Sequence, residues 1–250
     1  MIRIENKDCM VGLYEMDNDS IDLIVTSPPY NVDLGNNRYH NSPYDLYNDN
    51  KDHKDYIEWL KNIFSIAYEK LCSGGRVCIN IGDGKNGSVP TSSDIIQFMV
   101  NIGYIPMTHI IWDKSQVGNR TSWGSFNNPS SPSFPTPFEH ILVFCKETKK
   151  LQKKGETDLD KKDFINWSLA LWKFGAENRQ KKIGHNAMFP EELAKRCIKM
   201  FSYVGALVVD PFSGAGTTAI VCKKTNRNFV GFEISKEYCA ISEKRLLDIE

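Results

Sequence analysis

Residues 206–218 read A-L-V-V-D-P-F-S-G-A-G-T-T. An apolar run, Ala206 to Val209, ends in Asp210. A turn containing Gly214 and Gly216 follows, and a helical pattern runs from Thr217 to Lys224. A buried strand that ends in a carboxylate and turns through glycines into a helix suits a nucleotide-like ligand. The glycines let backbone approach it closely, and the helix N-terminus offers free N–H groups. Two glycines are too few for the G-x-G-x-x-G dinucleotide fingerprint. The next apolar run, Asn228 to Phe232, ends in Glu233, an acid placed to accept from ribose hydroxyls. The same residues also suit a tight structural turn and a surface acid, and the string alone leaves both readings open.

Outward from this stretch, apolar runs alternate with helical patterns, which predicts an α/β sheet. Strands are expected over Ile21 to Val25, Arg76 to Ile81, Tyr104 to Trp112 and His140 to Phe144. Helices are expected over Asp55 to Leu71, Ser93 to Val100, Pro190 to Phe201 and Ser235 to Leu247. In the first helix, Tyr56, Trp59, Leu60, Ile63, Phe64 and Ala67 share one face, and Gly74-Gly75 is read as its end. Ser115 to Pro137 and Lys146 to Gly184 do not read as core, and Asn31 to Asn50 reads as a loop.

That loop follows T-S-P-P-Y-N at 26–31, just behind the strand Ile21 to Val25. Pro28 and Pro29 fix φ, remove two donors and leave their carbonyls as acceptors. Ser27 Oγ and the Pro28 carbonyl can hold an amino group by its hydrogens while the Tyr30 ring stacks on the group carrying it. A proline turn with a packing tyrosine has the same sequence. A peptide ligand of WW domains also carries Pro-Pro-Tyr, but in disordered chain rather than behind a buried strand.

S-P-P-Y behind a strand, with D-P-F-S-G-A-G-T-T far downstream, resembles the amino-methyltransferases that modify cytosine N4 or adenine N6 in DNA. The order resembles their permuted β-group. Further similarity lies in N-K-D-C at 6–9, Trp112 to Lys114, T-S-W-G-S-F at 121–126, F-E-H-I-L-V-F-C-K at 138–146 and H-N-A-M-F-P-E-E-L at 185–193. The resemblance implies a Rossmann-like α/β fold of the class I S-adenosylmethionine-dependent methyltransferases, with a mostly parallel sheet and circularly permuted motif order. One domain would span 1–250. S-adenosylmethionine would be held by Asp8, Asp210, Phe212, Gly214, Gly216, Thr217 and Glu233. Ser27, Pro28, Pro29 and Tyr30 would form the catalytic turn, acting on a base flipped from double-stranded DNA. Ser27 in the first motif position resembles the cytosine-N4 enzymes, with adenine N6 the alternative. Methylation of RNA, a free nucleotide or a protein glutamine, and a silent nucleic-acid-binding module on the same fold, are competing readings.

Across the chain, 31 Lys and Arg balance 31 Asp and Glu. The distribution is uneven: the net charge is −7 over 1–113, +6 over 114–182 and +1 over 183–250. The basic insertion at 147–184 is the candidate target-recognition region, with Lys149, Lys150, Lys153 and Lys154 its candidate phosphate contacts; a solvated surface is the plainer reading. Asn31 to Asn50 and Ser115 to Pro137 share the recognition assignment by elimination. Seven cysteines show no metal-type pairing, so no metal is expected and a reduced, cytoplasmic setting is. No membrane association is expected. A second copy of the chain and a cognate restriction endonuclease stay open as partners.

Overall fold

The computed structural model describes residues 1–31, 50–114, 124–177 and 188–249. In chain order the elements are β1 (Ile2–Asn6), α1 (Cys9–Glu15), β2 (Ile21–Thr26), α2 (His53–Lys70), β3 (Leu71–Ile81), α3 (Gly84–Gly87), α4 (Thr91–Ile102), β4 (Tyr104–Asp113) and β5 (Phe138–Lys146). There follow α5 (Lys161–Trp167), β6 (Leu171–Lys173), α6 (Glu191–Phe201), β7 (Leu207–Asp210), α7 (Thr217–Lys224), β8 (Asn228–Glu233) and α8 (Lys236–Leu247).

The strands form one sheet in the order β1-β8-β7-β2-β3-β5-β4-β6. Among the described strands only β5 runs against the others: it is antiparallel to β3 and β4, and the other strand pairings are parallel. Alternate residues of each strand face opposite sides, so each face of the sheet acquires its own core. On one side Ile24, Val77, Ile79, Val209 and Val230 pack against α1, α2 and α4 through Leu13, Phe64 and Phe98. On the other, Leu23, Val25, Cys78, Val208 and Phe229 pack against α6 and α7 through Leu193, Ile198 and Val221. The absence of polar alternation in β2 and β7 follows from burial on both faces.

β2 lies beside β7, with Leu23 opposite Val208 and Ile24 opposite Val209. From β7 the chain crosses through α7 to β8 on one side; from β2 it crosses through α2 to β3 on the other. The carboxyl ends of β2 and β7 therefore flank the topological switch point, where open α/β sheets place their ligands.

Three sequence expectations need correction. Gly74-Gly75 does not end α2; Leu71 opens β3 directly, and the glycines lie inside that strand. The pairing jumps from Ile21–Leu71 to Leu23–Arg76, so the extra residues bulge. Gly74 has φ +77°, and a Cβ there would stand 2.3 Å from the Lys150 carbonyl oxygen, so only glycine fits. The stretch from Lys146 to Gly184 is not wholly outside the core, because α5 and β6 bury Trp167 and Trp172 against the second face. Finally, Ile2–Asn6 and Cys9–Glu15 are a strand and a helix that the sequence reading passed over.

Candidate active site

A cavity of about 290 Å³ opens at the switch point. Ser27 and Pro29 line it from the end of β2, Asp210 to Ala215 from the end of β7, Glu233 from the end of β8, and Asp8 from the start of α1. Two motifs 183 residues apart in the chain thus face one space. Trp59 and Phe212 form an aromatic wall, their ring centroids 5.5 Å apart.

Asp210 is 2% exposed. Its Oδ1 accepts from Thr26 Oγ1 (2.6 Å) and the Phe212 N–H (3.0 Å); its Oδ2 accepts from Thr218 Oγ1 (2.7 Å). All three donors are neutral, and burial pushes the carboxyl up to about 6. This carboxylate fastens the residue before Ser27 to the first turn of α7, so it joins the two motifs mechanically. Glu233 accepts the Gly214 N–H at 2.9 Å on Oε2 and the Ser235 N–H at 2.8 Å on Oε1. Burial raises its carboxyl as well. A carboxylate oxygen has room for two donors, so Glu233 keeps acceptor capacity toward the cavity it lines.

Gly214 and Gly216 both adopt positive φ, +50° and +75°, which turns the chain from β7 into α7 and sets Thr217 at the helix start. Asp8 caps α1, its Oδ1 accepting the Met10 and Val11 N–H groups at 2.9 and 3.3 Å. A cavity with an aromatic wall, buried carboxylates and a helix N-terminus fits S-adenosylmethionine: an aromatic base, ribose hydroxyls and a cationic sulfonium.

The catalytic turn is braced from two sides. The Tyr56 hydroxyl donates to the Pro29 carbonyl at 2.7 Å, so that carbonyl is engaged by the fold. Ser27 Oγ donates to the Tyr30 hydroxyl (3.2 Å), which donates to Glu139 Oε2 (2.9 Å). The same Glu139 oxygen accepts from Asn80 Nδ2 at 3.0 Å, and Lys114 pairs with its other oxygen. The Tyr30 ring lies over Gly82, where a Cβ would approach its Cε2 to 3.3 Å. Beyond the turn, the Asn31 side chain pairs with both the N–H and the carbonyl of Lys51, at 2.8 and 2.9 Å, and so ties residue 31 to residue 51.

The sequence reading gave no role to Glu139, Asn80 or the Asn31 tie, and placed Tyr56 and Trp59 only on the apolar face of their helix. Glu139 lay within the stretch F-E-H-I-L-V-F-C-K at 138–146, as an acid directly ahead of the buried run His140 to Cys145.

The structure does not bring Lys149, Lys150, Lys153 and Lys154 to this site. The segment leaves β5 at the sheet's far edge, crosses Gly74, and pairs Lys153 Nζ with Asp22 Oδ1 at 2.7 Å. Asp22 precedes Ser27 by five residues of extended chain, which is about 16 Å. Within H-N-A-M-F-P-E-E-L, Met188 and Phe189 line the cavity, whereas 185–187 lie outside the described residues. Residues 32–49, 115–123 and 178–184, with the recognition roles expected of them, also lie outside.

Comparison with known proteins agrees with this geometry. A family model described as DNA methylase, named for N6 and N4 modification, matches residues 21–244. The chain is 38% identical over 168 residues to the type II methyltransferase M.MjaVI of Methanocaldococcus jannaschii, covering 66% of this chain and 82% of the relative. Among solved structures it resembles TTHA0409 of Thermus thermophilus complexed with S-adenosyl-L-methionine, at 27% identity and a TM-score of 0.74, covering 98% and 95% of the two chains. It also shares the fold of the cytosine-N4-specific PvuII DNA methyltransferase, at 21% identity and a TM-score of 0.72, covering 99% and 86%. The chain belongs to the N6/N4 DNA methylase family. It is a DNA methyltransferase of the class I α/β fold, and S-adenosylmethionine is its cofactor. Among the described residues no helix is long and apolar enough to cross a membrane.

Proposed function

We propose that this chain methylates cytosine N4 in double-stranded DNA, on a base flipped into the space beside Ser27. The observation that carries the reading is the single cavity lined by both Ser27 and the cofactor carboxylate Glu233. When bound, S-adenosylmethionine supplies an electrophilic methyl group. Glu233 and the Gly214–Gly216 turn hold the donor, and Ser27 Oγ and the Pro28 carbonyl accept the hydrogens of the amine. Those acceptors favour a more tetrahedral nitrogen and stabilise the positive charge that develops on it. Tyr30 supplies an aromatic surface for the base. Ser at position 27 supports cytosine over adenine, because the cytosine-N4 enzymes resemble this chain there. The type II designation of M.MjaVI supports a restriction-modification role, paired with a nuclease of the same specificity.

The described chain ends at the catalytic edge also support an assignment of the DNA-facing segments. Residues 31–51, 114–137 and 174–190 all begin and end around the ends of β2, β4, β5 and β6 on that edge. We therefore assign recognition to these three rather than to Lys149–Lys154. The test is digestion of DNA from a host expressing the chain, followed by nucleoside mass spectrometry and modification-sensitive sequencing. N4-methylcytosine at a fixed sequence supports the reading. N6-methyladenine overturns the choice of base, and unmodified DNA overturns the activity.

A further inference from the structure

Ser27 can hold an amine by its hydrogens only if its own proton points elsewhere. A hydroxyl carries one donor and two acceptor positions, and its rotation is free unless a neighbour decides it. Here a neighbour does. The Glu139 side chain is 12% exposed and stands at the start of β5, beside the ends of β2 and β3. Asn80 Nδ2 and Lys114 Nζ both donate to it, and a carboxylate has no proton to return. The Tyr30 hydroxyl facing Glu139 Oε2 must therefore be the donor in that bond. That leaves the Tyr30 oxygen as an acceptor toward Ser27, and the Ser27 proton is directed to it at 3.2 Å. The lone pairs of Ser27 Oγ remain for the substrate.

We infer that Glu139 is a positioning residue for methyl transfer: through Tyr30 it sets the direction of the hydroxyl chain and holds Ser27 as an acceptor. The inference rests on the reading that Ser27 accepts from the target amine. It gives the Tyr30 hydroxyl a role separate from its ring, and it gives a reason for an acid at the head of a mostly buried strand. A neutral amide of the same shape can donate to Tyr30, reverse both bonds and present the Ser27 proton to the amine, where it opposes the reaction.

The experiment is single-turnover methylation of a duplex carrying the mapped site, with cofactor titration of each variant. Glu139→Gln is expected to slow the methyl-transfer step by about tenfold or more, with cofactor affinity and the KM for DNA close to the parent. Tyr30→Phe removes the link, so adding Glu139→Gln to it should cost little further. A Glu139→Gln enzyme as fast as the parent overturns the inference. So does a full additive loss in the Tyr30→Phe background. Ser27→Ala separates the two levels: if it methylates like the parent, the underlying reading fails; if it alone is slow, only the role of Glu139 fails.

Discussion

The edge where β2, β3 and β8 begin and the ends of β7 and β8 hold their acids differently. At the edge where β2, β3 and β8 begin, cations meet acids or carbonyls directly. Lys146 pairs with Asp19 at 2.7 Å, Lys153 with Asp22 at 2.7 Å and Arg227 with Asp158 at 2.8 Å, while Arg76 donates to the carbonyls of Phe201 and Lys149. These contacts fasten connections to the sheet. At the edge where β7 and β8 end, Asp210 and Glu233 are held by hydroxyl and N–H donors, and both carboxyls are raised by burial. Ion pairs to connecting segments mark the first edge; at the ends of β7 and β8, Asp210 and Glu233 are held by neutral donors. The lysines at 149–154 lie toward the first edge, where Lys153 is paired with Asp22, and none of them lines the cavity. Perturbed acids in a cleft are the better signal of function.

The comparison breaks most visibly at Asp210. Replacing it with alanine leaves the Thr26 and Thr218 hydroxyls and the Phe212 N–H without that acceptor. A loss of roughly 3 kcal/mol or more in chemical denaturation is expected. Asp210→Asn should recover most of it. An alanine variant as stable as the parent would mean that the two motifs are joined by something else.

Next come the ligand-facing groups. Tyr30→Ala is expected to lower turnover efficiency by roughly one to two orders of magnitude through lost stacking. Tyr30→Phe should keep the stacking share but lose the hydroxyl share. Glu233→Ala is expected to weaken S-adenosylmethionine binding by about 1–3 kcal/mol, read by calorimetry. An unchanged affinity would remove Glu233 from the cofactor site.

Acid pH offers a gentler probe. The Asp210 carboxyl is raised in the folded chain, so its contribution to stability is present in full below the ordinary aspartate value of 3.8 and is lost as pH rises through about 6. A bound cation favours the ionised form, so cofactor affinity should change in the opposite sense. It is expected to be about tenfold weaker at pH 5 than at pH 7.5, and Asp210→Asn should flatten that dependence. An affinity independent of pH in the parent would show that the sulfonium does not sense this carboxylate.

The smallest effect belongs to the far edge. Neutralising Lys149, Lys150, Lys153 and Lys154 together should leave the salt dependence of DNA binding close to the parent. Neutralising Arg179, Lys181 and Lys182 in the segment 174–190 should flatten it by up to about 0.9 log units per lost contact. A reversed outcome would return recognition to the far edge.

By itself the sequence determined the local elements that chemistry demands. The apolar run closing on Asp210, the glycines at 214 and 216, and the acid at 233 are short-range patterns, because a strand end, a positive φ and a helix start are set by neighbours in the chain. The turn at Ser27–Tyr30 was legible for the same reason: two prolines dictate their own backbone. Trp59 shows the limit of periodicity, since a residue on the buried face of α2 can still end at a cavity wall. Only the tertiary structure decided which distant groups meet. Glu139 reaches Tyr30 across 109 residues and Asp210 reaches Thr26 across 184. Both contacts exist because strand order places β2 between β7 and β3, with β5 next beyond. Strand order is fixed by crossovers and by burial on both faces, which no window of sequence contains. The same reason keeps Lys153 from the site: its partner Asp22 lies at the opposite end of β2, five residues of extended chain from Ser27.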